Sequence, residues 1–312
     1  MKLWVTYLRA IGAMFFWAIT FVWYKIAYET YRTYEVVFLR LILATVLLFA
    51  LMTLSKHWQK LERKDIWRMM LIAFFEPFLY FIGEGNGMHY VSSSMGSIII
   101  ATIPIFAAVG AWLFLKERIS VFVILGIILS CLGVVIMSVG SGELRATFTG
   151  IMFLALAIFG AVGYGLTVRP LTLRYSTLTI VAYQTLFGAV YFLPLFLLID
   201  GSHFFSVTHS ARGLITIVAM SLFATIGAFV LYTDVIRSLG VAKSNVFTNL
   251  IPIFTIVLAY FILGDAIGLR TILGLTLTLM GLVLSQYADL KKLKQRYLLG
   301  KSITSEGGTN AS

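Results

Sequence analysis

Three residues of one apolar stretch carry the clearest chemistry: Glu76, Tyr80 and Glu84. Their i, i+4, i+8 spacing places them on one face if the stretch is a helix. Glu76 is followed by Pro77 and sits well inside the run, at a depth where an ionisable side chain costs about 2.5–3.5 kcal/mol on membrane insertion. Such a group has to face protein or water rather than lipid. A carboxyl held there can trade its proton for a cationic substrate or carry a coupling proton. That makes Glu76, with Tyr80 beside it, a candidate for substrate binding or coupling. The plainer alternative, a structural hydrogen bond to a neighbouring helix, stands level with it.

A second set of charges suggests gates. Glu84, Lys25 and Arg40 fall toward one end of their apolar runs, and Asp234 and Arg169 toward the other. Ion pairs at opposite ends of a central site can each close one access path. Against this stands snorkelling to headgroups, the favoured reading for any single one of them and strongest for Arg169 and Lys25. Trp17, Tyr24, Tyr80, Tyr164 and Tyr232 would offer aromatic surfaces suited to organic cations. Ordinary packing and interfacial belts account for most aromatic residues in a chain this aromatic.

Catalytic and metal chemistry are thinly supplied. His57, His89, His203 and His209 lie in or near turns without metal-ligand spacing, and Cys131 is the only cysteine. The run Gly83-Glu84-Gly85-Asn86-Gly87 lacks the lysine of a phosphate loop and follows a helix rather than a strand. No metal, no cofactor and no enzymatic activity are expected. Any work of transport must draw on gradients or exchange.

The elements that position these residues are membrane spans. Of 312 residues, 60% are hydrophobic and 12% charged, with a mean hydropathy of +0.96; a soluble domain carries roughly 25% charged residues. Runs near 8–28, 35–54, 66–88, 93–115, 119–140, 149–168, 176–199, 213–237, 244–263 and 268–287 are long enough to cross a bilayer as helices. They lack the period-two alternation of barrel strands. The first run ends without a small-residue cleavage site and is read as a retained span. With the N-terminus inside, 18 of the 24 lysines and arginines fall in inside segments and four in outside ones. That asymmetry supports both the count and an orientation with both termini cytoplasmic. It also explains the net charge of +11 without invoking nucleic acid.

The chain contains an internal repeat. Residues 102–136 and 250–284, offset by 148, share 14 of 35 positions. Ile103-Pro104-Ile105-Phe106 meets Ile251-Pro252-Ile253-Phe254, Gly126 meets Gly274, and Gly133 meets Gly281. Pro104 and Pro252 are expected inside their helices as matched hinges. Each glycine pair is seven residues apart and shares a helix face suited to close packing, of spans five and ten or of two protomers. An odd number of spans per copy reverses the second copy in the membrane, the inverted-topology architecture of many secondary transporters. The expected division is 1–140 for the first five-helix repeat, 141–287 for the second, and 288–312 for a basic, then polar, disordered cytoplasmic tail.

With these residues in view, the chain resembles the EamA-type permeases of the drug/metabolite transporter superfamily in both copies. His89-Tyr90-Val91-Ser92-Ser93-Ser94 resembles the family turn before the fourth span, and the two proline motifs resemble the family's own. Leu115-Lys116-Glu117-Arg118-Ile119-Ser120 resembles its acidic turn, and Leu39-Arg40 the Leu-Arg of its second span. The chain departs from the pattern at Trp17-Ala18, at Gly264-Asp265, and at Gln184, which falls near where a second copy of Arg40 would stand. It has no glutamate in the first span, so the proton-coupling scheme of the four-helix multidrug relatives does not carry over. The resemblance implies an all-α integral membrane transporter moving a small organic metabolite, amino acid or drug, with efflux across the inner membrane the commoner direction. Its partners would be the lipid bilayer and a small-molecule substrate, with proton coupling open and the chain a monomer or homodimer. An uptake or exchange permease is the nearest alternative. A membrane enzyme or lipid-handling protein would need an intramembrane cluster of acid, histidine or serine groups at one depth, which the sequence does not supply.

Overall fold

A computed structural model describes residues 3–56, 58–87, 90, 99–100, 102–138, 147–263, 268–270 and 272–287, and all regular structure among them is helical. The tail 288–312, Asp265 and most of the turn 89–94 lie outside the described residues, as does the side chain of Lys25. In chain order the helices are α1 (Leu3–Ala27), α2 (Thr33–Leu54), α3 (Arg63–Gly87), α4 (Ile103–Leu115) and α5 (Val121–Ser138), then α6 (Phe148–Thr172), α7 (Thr177–Ser206) and α8 (Ala211–Leu239). They are followed by α9 and α10 (Ile272–Tyr287); α9 comprises Val241–Val246, a tight turn Phe247–Asn249, and Leu250–Leu263. Helices α1, α2, α3, α6, α7 and α8 are long and apolar enough to cross a membrane, and α4, α5 and α10 are shorter apolar helices. Lipid-facing side chains such as Leu198 and Phe114 stay exposed, while Ala, Gly and Thr line the contacts between helices.

The main contacts join the two halves. Helix α2 lies on α7, α3 on α6, α1 on α8 and on the second part of α9, and α4 on the first part of α9. Exchanging the halves turns the pair α1–α8 into α6–α3 and leaves α2–α7 and α4–α9 as they are, which is the pattern of a two-fold relation. Arg9, near the start of α1, and Arg169, near the end of α6, both reach the last turns of α8. Equivalent helices α1 and α6 therefore run in opposite directions, so the repeat is inverted.

Among the described residues three helices carry wide π-type turns, α3, α7 (Phe196–Asp200) and α8, and those of α3 and α8 lie at matched places. Helix α3 takes a wide π-type turn at Phe74–Leu79, with Glu76 in an extended conformation (φ −146°, ψ 117°). Helix α8 takes one at Met220–Ala228; the offset of 148 carries 74–79 onto 222–227. Wide turns of this kind disrupt the regular backbone ladder and are frequent at functional sites. The break in α3 is received by glycines. A Cβ at Gly160 would come within 2.8 Å of the Phe75 carbonyl oxygen, and one at Gly188 within 2.6 Å of Pro77 Cγ.

The two prolines expected as matched hinges each follow a turn, Thr102 for Pro104 and Phe247–Asn249 for Pro252. Pro104 occupies the first turn of α4, and Pro252 the first turn of the Leu250–Leu263 segment. There a missing N–H forfeits no helical bond.

Candidate functional site

The wide turns of α3 and α8 share a neighbour: Arg40 bonds Thr225 in α8 and lies within electrostatic reach of Glu76 in α3. From α3 come Glu76, Tyr80 and Glu84; from α1, Trp17 and Tyr24; from α2, Arg40. The second half supplies Tyr164 on α6, Gln184 on α7, and Thr225, Phe229, Tyr232 and Thr233 on α8. Glu76, Tyr80, Glu84, Trp17 and Tyr24 are part-exposed although they sit among these helices.

The expected common face of Glu76, Tyr80 and Glu84 holds only in part. Tyr80 donates its hydroxyl to Glu84 Oε1 at 2.9 Å, as i, i+4 neighbours do. Glu76 stands at the break, and its face is set by the turn rather than by helical period. It nonetheless remains within electrostatic reach of Glu84 and Arg40.

Arg40 is 2% exposed and bonded to its surroundings. Its Nε donates to Thr225 Oγ1 at 2.9 Å and its Nη1 to the Tyr24 hydroxyl at 2.8 Å, and its guanidinium lies 4.8 Å from the centre of the Phe81 ring. The outer charge cluster expected of Glu84 and Arg40 is thus not an ion pair. Arg40 spans to the second repeat, and Glu84 bonds Tyr80. The side chain of Lys25, the third member, is outside the described residues.

Gln184 mirrors Arg40. Its Nε2 donates to the backbone carbonyl of Glu76 at 3.0 Å. The wide turn leaves that carbonyl outside the regular ladder, because the Tyr80 N–H bonds Phe75 and Pro77 instead. Tyr164 and Tyr232 are buried and form an aromatic floor. Trp17 meets Tyr232 edge-on at 5.0 Å and Phe229 at 5.4 Å, and Tyr164 shares a 3.0 Å hydrogen bond with Thr233.

Asp234 and Arg169 meet at one end of the bundle, through partners the sequence reading did not assign them. Asp234 pairs with Arg9 and with Arg237, the latter at 3.5 Å. Arg169 lies 3.9 Å from Glu117 and donates to the carbonyls of Ile236 and Arg237. In return Arg237 donates to the carbonyls of Thr172 and Tyr175, each at 2.6 Å. Each arginine caps the carbonyl end of the other's helix, where orphan acceptors and the helix dipole favour a cation. Glu117 also accepts from the N–H groups of Val241 and Ala242, at 2.9 and 3.3 Å. These ties draw α1, α6, α8 and α9 together at the basic end. Nearby, Asp65 holds Arg174, Arg68 and the Tyr175 hydroxyl. Arg9, Arg237 and Asp65 carried no sequence signal beyond charge, Thr225 carried none, and Gln184 was marked only as a departure from the family pattern near where a second copy of Arg40 would stand.

The glycine pairs lie where α5 meets α10. A Cβ on Gly126 would fall 2.6 Å from the Gly281 carbonyl oxygen, and one on Gly133 2.5 Å from that of Gly274. Among the described residues no group of three or more histidine, cysteine, aspartate or glutamate side chains could hold a metal ion.

Comparison with known proteins places this geometry. The EamA-like transporter family model matches residues 4–139 and 148–287. An uncharacterized transporter, YetK, of Bacillus subtilis (strain 168) is 26% identical over 246 residues, covering 78% of this chain and 74% of its own. An uncharacterized transporter of Archaeoglobus fulgidus is 24% identical over 90% of this chain and 98% of its own. A probable terminal-alkyne amino-acid exporter of Streptantibioticus cattleyicolor is 28% identical over 69% of this chain and 71% of its own. A solved crystal structure superposes with a TM-score of 0.76 at 15% identity over 90% of this chain and 98% of that one, which speaks to the fold alone.

Proposed function

The chain belongs to the EamA-like transporter family, a multi-pass membrane family, and from that premise we propose that it is a ten-span secondary exporter of a small organic solute, working by alternating access with both termini in the cytoplasm. The observation that carries this reading is the pair of matched breaks in α3 and α8. Broken helices that meet near the midplane of an inverted repeat are where such transporters bind substrate. Here they hold two carboxylates, one arginine and an aromatic floor.

The arrangement suits a cycle. Among the described side chains of this site the charged ones are two carboxylates, Glu76 and Glu84, and one arginine, Arg40. A cationic group on the solute, or a proton, suits the carboxylates. With the basic end tied shut by Arg9–Asp234 and by Glu117, access lies from the end where Tyr24 and Glu84 are part-exposed. Releasing the ties at the basic end while closing the other end would carry the site across. An amino-acid or amine solute fits this chemistry, and the Streptantibioticus relative is named for an amino acid.

Inverted membrane vesicles from overexpressing cells test the proposal. Amino acids, nucleosides and cationic dyes are offered with and without an imposed proton gradient. Gradient-dependent accumulation in wild type that falls at least tenfold in Glu76→Gln, at equal protein level, is the expected result. Accumulation no different from that of vesicles lacking the protein, across the whole panel, would count against export.

A further inference from the structure

Gln184 is 1% exposed, and its Oε1 is the one buried side-chain nitrogen or oxygen without a hydrogen-bond partner among the described residues. A buried acceptor left unpaired is costly and calls for a partner. The orientation of the amide is fixed by the Glu76 carbonyl. That acceptor takes Nε2 at 3.0 Å, and turning the amide over would set two oxygens against each other. Oε1 therefore stays as a free acceptor beside the break that carries the Glu76 carboxyl. The neighbouring Tyr164 hydroxyl shares a hydrogen bond with Thr233 Oγ1, in which either oxygen can donate, and also lies within reach of the Gln184 amide.

We propose that Gln184 Oε1 and the Glu76 carboxylate form a paired acceptor subsite for the N–H donors of a primary amine. This rests on the transporter reading and names the substrate class of that same site. A protonated amine has three donors on one small cation. One donor can meet the amide oxygen and another the carboxylate, while the aromatic faces of the Trp17–Tyr232 floor suit the charge. A quaternary ammonium carries the same charge and no donor. It would satisfy Glu76 and leave Oε1 unpaired, so Gln184 is the residue that sets the preference between them. Sites built to hydrogen-bond a substrate N–H discriminate strongly against analogues that lack it.

The test is binding to the purified full-length protein in lipid nanodiscs, by calorimetry, with three probes: phenethylamine, its N,N,N-trimethyl derivative, and 3-phenylpropionate. Wild type is expected to bind phenethylamine at least about tenfold more tightly than the trimethyl compound, equivalent to about 1.4 kcal/mol, and not to bind 3-phenylpropionate. Gln184→Met is expected to lose that preference by weakening phenethylamine alone. A purely structural role for Gln184 would weaken both cations alike, and that outcome overturns the proposal. So does equal binding of the two cations by wild type, a measurement that needs no variant to fold. Failure of phenethylamine to bind, or binding of 3-phenylpropionate in its place, also overturns the amine subsite. Either result leaves export, tested separately in vesicles, standing.

Discussion

Arg40 and Gln184 lie 144 residues apart on the equivalent helices α2 and α7, and each reaches across the repeat boundary to the interrupted helix of the other half. Arg40 holds Thr225 in the break of α8; Gln184 holds the Glu76 carbonyl in the break of α3. The same mechanical task is performed by a cation in one copy and a neutral amide in the other. The difference tracks what each break presents: a threonine hydroxyl accepts from a guanidinium, and a released carbonyl accepts from an amide.

Replacing Arg40 should therefore cost stability in graded steps. Lysine keeps the charge but lacks the planar fork, and it cannot serve Thr225 and Tyr24 in their present geometry. Loss of one charge-assisted bond is expected to cost about 1.5–3 kcal/mol. Methionine removes both bonds and the described cation that faces Glu76 and Glu84, so Arg40→Met should unfold at a lower temperature than Arg40→Lys. Thermal unfolding in one detergent reads the order. An Arg40→Met protein as stable as wild type would show that these bonds contribute nothing.

The ties at the basic end lead to a prediction about conformation. Arg9 reaches Asp234 from the first repeat, whereas Arg169 and Arg237 cap one another's helices within the second. Asp234→Asn should loosen the first link and leave the reciprocal caps intact. A cysteine placed at Thr233, buried in wild type, should then react severalfold faster with a membrane-impermeant maleimide added from the basic end. Arg237→Gln should act differently, lowering the unfolding temperature because the Thr172 and Tyr175 carbonyls lose their donors. Labelling at an unchanged rate in Asp234→Asn would remove Arg9–Asp234 from the gate.

How much of this could be read from the chain alone depends on the range of the signal. The long apolar helices α1, α2, α3, α6, α7 and α8 follow from hydropathy, and the inverted repeat from the register of Pro104 with Pro252 and Gly126 with Gly274, because both are patterns visible along the chain. Glu76 was conspicuous because a carboxyl amid apolar residues has a cost that a sequence reveals. Its geometry was not, since the wide turn at 74–79 replaces the helical period on which the i, i+4, i+8 argument rests. Proline marks one of the matched wide turns and not the other: Pro77 lies in that of α3, while that of α8 at 220–228 has none. Arg9, Glu117 and Arg237 gain their roles only when helix ends from both halves converge. That convergence is a property of the fold and leaves no spacing to detect.

Tyr175, in the turn between α6 and α7, gives a prediction in pH. Burial pushes its hydroxyl up from the ordinary tyrosine range, and the group donates to Asp65 Oδ2 at 2.9 Å while accepting from the Glu62 N–H at 3.2 Å. A folded-state value above the unfolded one means that the protonated form stabilises the fold. Its contribution is complete below about pH 10 and is lost as pH rises through the folded value. Tyr175→Phe should cost about 0.5–1.5 kcal/mol near neutrality. The gap to wild type should stay flat from pH 6 to about pH 9 and shrink above about pH 10. Unfolding midpoints across that range check it. A gap that widened in alkali would mean the sign is wrong.

The last prediction concerns the α5–α10 contact, where there is no room for a side chain. A Cβ at Gly126 would lie 2.6 Å from the Gly281 carbonyl oxygen and 2.6 Å from the Ser285 nitrogen, and these are backbone atoms that cannot swing aside. Gly126→Val has to push the helices apart, at about 1–3 kcal/mol for overpacking and more if the contact is lost. Gly268→Ala is the matched control, because a Cβ there meets nothing within 4 Å. The first variant should show a lower folded yield and a lower unfolding temperature, and the second should match wild type. If Gly126→Val left stability untouched but altered the oligomeric state on size exclusion, the glycine face would join two protomers rather than α5 to α10. That would exchange an intrachain contact for an intermolecular one built from the same four glycines.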